Sequence, residues 1–201
     1  MAGIVVPFRG SGGKQRLTGL GAEAHRAVVL AMLTDVLAAT TDVGRTVVVT
    51  GDDDGRRAAE EGGAEVVADP GGGQGAAVAA AIGLFPSDAL LVVNADVPCV
   101  QPYDLRSLVA ATPPGGIALV PSTDGRTNAL SLSGPQLFEP LYGSRSAERF
   151  QRAARDLGVE AVVVTIPNLV DDVDTPADLD RVRRRAGAHT QAVLQSLKLA
   201  S

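Results

Sequence analysis

No tryptophan occurs in the chain, and aromatic residues make up only 3% of its 201 positions. A dense core must therefore come from Val, Leu, Ile and Ala, within an apolar fraction of 45%. One cysteine, Cys99, excludes an internal disulfide and a cysteine-built zinc site. The two histidines, His25 and His189, stand apart with no triad partner in view. His25 reads as a helix-surface residue and His189 as part of a tail. Cations do not dominate: 18 Lys and Arg face 23 Asp and Glu, for a net charge of −5 and a pI near 5.0. That balance excludes a general binder of nucleic acid or anionic membrane, which needs a basic stripe. It leaves room for a local basic pocket. No uninterrupted apolar run approaches the roughly 18 residues of a membrane span, and the N-terminus lacks a signal-peptide pattern. A cytoplasmic protein is the expectation. The length suits one well-buried domain, residues 1–187, with 188–201 as a C-terminal tail or short helix.

What is present is an alternation of short apolar runs and helix-length segments. Strands are expected at Ile4–Val6, Thr46–Thr50, Glu65–Ala68, Leu90–Asn94, Ile117–Val120, Ala129–Leu132 and Ala161–Thr165. Several are apolar throughout, as in strands covered on both faces. Between them, "EAHRAVVLAMLTDVLAAT" carries helical spacing at Val28, Met32 and Val36, "DDGRRAAEEG" is short and polar, and "QGAAVAAAIGLF" is rich in Ala. This order predicts an α/β domain, a three-layer α/β/α sandwich on a mostly parallel mixed sheet. Such sheets bind ligands at the carboxyl ends of their strands. The segments to inspect are therefore Arg9–Arg16, Gly51–Asp54, Asp69–Gly75, Asp96 and the Asp172/Asp174 turn. Their mixture of cations, glycine-rich backbone and carboxylates suits a nucleotide phosphate with a divalent metal.

Each of these segments has two readings. "SGGKQRLTGLG", after the first strand, can cradle phosphate with its backbone N–H groups and with Lys14 and Arg16, or can be a solvated loop. It is neither a Walker A loop nor a G-x-G-x-x-G fingerprint. Asp96 in "NADVPCV" can hold Mg²⁺ at a strand end or can bond the turn before Pro98. Asp172 and Asp174, two apart, face one side of an extended segment; they can share a metal with Asp96 or form a solvated acidic turn. Thr175, Pro176 and Asp178 read as a helix start with a capping box. Thr127 and Asn128 are polar residues at the mouth of a strand. Ser146 opens a helix with Phe150, Ala153, Ala154 and Leu157 at its periodic positions. Free N–H groups there favour an anion, whereas Ser144 or Ser146 can also serve only as a cap.

Read in order, "KQRL", "MLTDVLAAT", "NADVP", "GRTNALSL", "YGSRSAERFQRAA" and "DDVDTPADL" resemble the 2-phospho-L-lactate/phosphoenolpyruvate guanylyltransferase family, from about residue 4 to 182. That family acts in making the deazaflavin coenzyme F-420 and has the GT-A-like nucleotidyltransferase fold. The resemblance implies transfer of GMP from GTP to a small phosphorylated acid, with release of pyrophosphate. It implies Mg²⁺ as cofactor, held by Asp96 and by Asp174 or, less favoured, Asp172. It implies a nucleotide site at Pro7, Gly12, Gly13, Lys14, Arg16, Gln74 and Gly75, with Lys14 and Arg16 on the triphosphate. It implies an acceptor site at Thr127, Asn128, Gly143 and Ser146. The expected partners are GTP and the phosphorylated acid, with no nucleic acid and no membrane; a homodimer and a hand-off to the next coenzyme F-420 enzyme complete the expectation. "GGGQGAAV" stands where relatives commonly show Gly-Leu-Asn before the Ala-rich helix, and Gln74 is the candidate base reader. The rivals are another nucleotidyltransferase with a molybdopterin or sugar-phosphate acceptor, and a nucleotide-sensing domain without turnover.

Overall fold

The computed structural model describes residues 2–10, 17, 20–86 and 89–199. Lys14 and Arg16, with Gly12 and Gly13, lie outside the described residues. In chain order the elements are β1 (Gly3–Pro7), α1 (Ala22–Thr41), β2 (Thr46–Thr50), α2 (Asp53–Glu61), β3 (Glu65–Ala68), α3 (Gln74–Ile82), β4 (Leu90–Val93) and α4 (Pro102–Ala110). They continue with β5 (Ile117–Pro121), β6 (Thr127–Leu132), α5 (Ser146–Asp156), β7 (Ala161–Val163), α6 (Pro167–Val170), α7 (Pro176–Val182) and α8 (Ala188–Leu199).

The strands form one sheet in the order β3-β2-β1-β4-β6-β5-β7. Only β6 runs against its neighbours, pairing antiparallel with both β4 and β5. The apolar strands alternate their side chains between two covered faces. Ile4, Val6, Leu91 and Val93 join the cluster built by α1, α4, α6 and α7. Val5, Leu90, Val92 and Leu130 join the cluster built by α3 and α5. This is the three-layer arrangement expected from the strand pattern, and all seven expected strands are present.

Two local readings sharpen. Thr127 and Asn128 open β6 as its first two residues, and Thr127 pairs with Pro121 across a register shift that skips Asn128. Of the two expectations for the C-terminal residues, the short helix is the one found: α8 docks on α1. Buried Asp35 of α1 accepts the His189 and Thr190 N–H groups at 3.0 and 2.9 Å. A carboxylate thus satisfies first-turn donors of α8 that would otherwise be stranded. Helix α1 is long and apolar enough, by length and composition alone, to cross a bilayer, but 56% of that stretch is buried inside the fold. The capping box of α7 forms as expected: Asp178 N–H donates to Thr175 Oγ1 at 3.3 Å, and Thr175 N–H donates to Asp178 Oδ2 at 2.8 Å. A second box, Gln101 with Asp104 and Pro102 at the first helical position, opens α4.

Candidate active site

The carboxyl ends of β1, β3 and β4 open onto a cleft of about 1000 Å³. Its floor is the segment after β4. Asp96 follows that buried strand by three residues, with its Oδ1 out of contact with solvent. The Val173 N–H donates to the Asp96 carbonyl oxygen at 3.0 Å, which latches the 171–174 segment onto the end of β4. Asp96, Asp172 and Asp174 thereby offer carboxylate oxygens that all lie within 4.8 Å of one another. Asp171 takes no part in this cluster. Its carboxylate is held by Arg181 at 3.2 Å and Arg185 at 2.5 Å.

One wall of the cleft is the turn into α3. Gly71, Gly72 and Gly73 all have left-handed backbones, with φ of 79, 83 and 98°. No other residue type adopts such a run without strain. Gly73 caps α3 without a side-chain bond, so the helix opens toward the cleft through bare backbone. A Cβ at Gly75 would lie 2.7 Å from the Pro140 Cβ, so glycine there lets the two walls meet.

The other wall joins β6 to α5. Thr127 Oγ1 and Ser146 Oγ pair at 3.0 Å, with exposures of 2% and 0%. Ser146 does not cap its helix; Arg145 holds the N-cap position in a left-handed conformation, φ 54°. The Ser146 N–H donates to Gly143 O at 3.1 Å, and the Ala147 N–H donates to Gly125 O at 3.3 Å. An anion on this wall therefore meets Thr127, Gly143 and Arg126, all of which line the cleft, rather than an open helix turn. Asn128, at 1% exposure, is a support. Its Nδ2 donates to Leu169 O at 2.9 Å and Val170 O at 3.1 Å, and reaches Asp172 Oδ1 at 3.4 Å.

The cleft lies between strand ends, floored by three carboxylates and walled by a glycine turn. Residues 20–163 match the family described as the MobA-like NTP transferase domain. The chain belongs to that family. It is 36% identical over 183 residues to a phosphoenolpyruvate guanylyltransferase of Roseiflexus castenholzii, covering 89% of this chain and 85% of that one. It is 41% identical over 101 residues to the protein of that name from Sphaerobacter thermophilus, covering 50% and 49%. A 2-phospho-L-lactate guanylyltransferase of Methanothrix thermoacetophila is 29% identical over 201 residues, covering 97% and 89%. The chain spans about half the length of the first two curated relatives it matches. Among solved structures, a provisionally named nucleotide-diphospho-sugar transferase from Desulfovibrio desulfuricans superposes with a TM-score of 0.75 at 16% identity, covering 99% and 96%. A nucleotidyl transferase from Methanothermobacter gives 0.65 at 18%, covering 98% and 99%. These two likenesses establish the fold.

In this NTP transferase domain the described cleft residues carry four carboxylates, Asp69, Asp96, Asp172 and Asp174, against two guanidinium groups, Arg9 and Arg126. The cluster is a site where a divalent cation fits. Burial first, and then the Asp96 carboxylate, push Asp172 up to about 6, with the Asn128 amide giving partial relief. A cation among the three would offset both causes.

A carboxyl raised in the folded state contributes stability at low pH that is lost as pH rises through about 6. A cation that binds the ionised cluster reverses that loss. Mg²⁺ is therefore expected to raise the melting temperature clearly at about pH 7.5 and hardly at about pH 5. Scanning fluorimetry at the two pH values checks this; an equal gain at both contradicts it.

Of the expected site residues, Pro7, Gln74, Gly75, Asp96, Thr127, Asn128, Gly143, Asp172 and Asp174 all line the one cleft. Ser146 is behind Thr127. Sequence reasoning assigned no role to Arg9, Asp69, Asn94 or Arg126, which also line it. Arg9 and Asp69 open two of the segments that strand-end position marked for inspection, Arg9–Arg16 and Asp69–Gly75, but neither was given a role.

Proposed function

We propose that the chain is a guanylyltransferase, joining GMP from GTP to a small phosphorylated acid, phosphoenolpyruvate or 2-phospho-L-lactate, and releasing pyrophosphate. Coenzyme F-420 biosynthesis and a cytoplasmic location belong to the same proposal. The observation that carries it is the convergence of Asp96, Asp172 and Asp174 on one cleft floor, with the Thr127–Ser146 pair on one side and the α3 glycine turn on the other.

In this reading an acceptor phosphate oxygen attacks the α-phosphorus in line. A bond from that oxygen to the α-phosphorus forms, and the bond to the β-phosphate oxygen breaks. A phosphomonoester with a second pKa near 6 is largely dianionic at neutral pH, so no general base is needed. That suits a cleft lined by no histidine among the described residues. Mg²⁺ at the cluster would offset repulsion between the two anions and stabilise charge on the leaving pyrophosphate. Asp96, Asp172 and Asp174 would hold it, Pro7 and the Gly72–Gly75 turn would bound the nucleotide, and Lys14 and Arg16 would take the β- and γ-phosphates. Thr127, oriented by Ser146, and the Gly143 backbone would hold the acceptor.

Two variants separate the sides of the site. Ser146→Ala frees the Thr127 hydroxyl, and is expected to raise KM for the acceptor about tenfold while leaving KM for GTP unchanged. Lys14→Ala is expected to impair GTP use with every acceptor and leave their ranking unchanged. Pyrophosphate release measured against GTP, CTP, UTP and ATP with phosphoenolpyruvate tests the proposal itself. Preference for CTP or UTP would replace it with the sugar-phosphate type of reaction.

A further inference from the structure

Asn94 and Gln74 belong to a run of side-chain amides whose polarity is set from inside the fold. The run starts at two backbone carbonyls, Leu169 O and Val170 O, which can only accept. Asn128 therefore turns its Nδ2 toward them, at 2.9 and 3.1 Å. Its Oδ1 is left facing β4, where Asn94 is the cross-strand neighbour; the Asn94 N–H donates to Asn128 O at 2.9 Å. The Asn94 Nδ2 then donates to Asn128 Oδ1 at 3.3 Å and to the Thr127 carbonyl at 3.2 Å. Its Oδ1 accordingly points outward and accepts Gln74 Nε2 at 2.6 Å. Each amide can make these bonds in one orientation only. Gln74 has its nitrogen drawn inward, and no donor among the described residues reaches its Oε1.

Gln74 lines the cleft. We infer that this relay presents Gln74 Oε1 as a hydrogen-bond acceptor for a ribose hydroxyl of the nucleotide, and that Asn94 is the positioning residue that holds it so. The inference rests on the guanylyl-transfer reading. Position supports the sugar over the base. Gln74 is tied to Asn94, two residues before Asp96, where the reacting α-phosphate has to lie. The ribose is the part of the nucleotide bonded to that phosphate. A hydroxyl can donate to Oε1, whereas the hydrogen that replaces it in a deoxy sugar leaves Oε1 unmatched in a half-buried site. An unmatched polar group of this kind costs binding.

The test compares GTP, 2′-deoxy-GTP and 3′-deoxy-GTP, each with Mg²⁺, binding to the full chain by calorimetry, with kcat/KM measured in parallel. The unaltered protein is expected to bind one of the two deoxynucleotides about tenfold more weakly than GTP. Gln74→Leu is expected to bind GTP as weakly as that deoxynucleotide, and to show no discrimination. Asn94→Leu, which removes the partner that orients Gln74, is expected to lose most of the same discrimination. General loosening of the fold would lower affinity for all three nucleotides together and leave their ratio alone. Should Asn94→Leu fail to fold, Gln74→Leu on the cleft wall still decides the matter. Equal affinity of the unaltered protein for all three nucleotides overturns the inference and leaves guanylyl transfer standing. Discrimination that survives in Gln74→Leu also overturns it. No binding of GTP at all overturns the guanylyl-transfer reading and this inference with it.

Discussion

Asp96→Ala is expected to abolish nearly all GTP-dependent pyrophosphate release, by about 10³-fold or more, in a protein that remains folded. Losing one pre-organised electrostatic contact typically costs on the order of 10²–10³ in rate. The 171–174 segment is latched to the backbone of the same residue, through Val173 N–H and the Asp96 carbonyl oxygen at 3.0 Å. That latch uses backbone and survives the substitution, so the fold does too. Removing one of three mutually repelling acids relieves Asp172, whose shift to about 6 is caused by burial and then by Asp96. The metal-free variant should therefore be no less stable than the parent at neutral pH. Asp96→Asn separates charge from shape and should lose activity nearly as far. Steady-state rates across a Mg²⁺ series, with circular dichroism as the folding control, check this. Near-normal turnover at saturating Mg²⁺ would contradict the assignment.

Asn128→Ala is expected to damage stability and cation binding together. The side chain is 1% exposed and donates to two buried carbonyls at the end of α6 while accepting from Asn94. Truncation leaves those carbonyls without a donor, at about 1–3 kcal/mol for each buried group stranded. For a chain of this size a loss of roughly 2–3 kcal/mol lowers the melting temperature by about 5–10 °C. The same change frees the segment that carries Asp172 and Asp174, so Mg²⁺ affinity should fall by about tenfold or more. Thermal unfolding with a calorimetric Mg²⁺ titration reads both. A lowered melting temperature with unchanged Mg²⁺ affinity would show that Asn128 supports the core without setting the cluster.

The layers were legible because several strands, β4 above all, are apolar throughout, as double coverage requires, and because α1 and α3 keep helical spacing between them. Asp96 and the 172–174 pair were legible because strand ends and paired acids are local features. The relay was not. Asn94 and Asn128 are 34 positions apart and meet only because β6 runs antiparallel beside β4. A polar residue before "ADVP" carries no sign of such a partner. For the same reason Asn128 read as a substrate contact: buried amides and ligand-facing amides look alike along a chain. Ser146 read as a cap or an anion site, yet its hydroxyl is spent on Thr127 across the β6–α5 wall. Whether two or three aspartates cluster likewise depended on the Val173–Asp96 latch, which spans 77 positions.

The most direct measurement is product formation with GTP and Mg²⁺ against a panel of phosphoenolpyruvate, 2-phospho-L-lactate, 3-phospho-D-glycerate, a sugar phosphate and a molybdopterin-type acceptor. Pyrophosphate release and mass spectrometry would be read together, with the next biosynthetic enzyme coupled in to capture a labile product. Guanylyl transfer predicts pyrophosphate and a GMP adduct with one or more of the small phosphorylated acids, and neither with the sugar phosphate. A GMP adduct confined to the sugar phosphate or molybdopterin-type acceptor, or tight GTP binding with no turnover on any of the five, would contradict it.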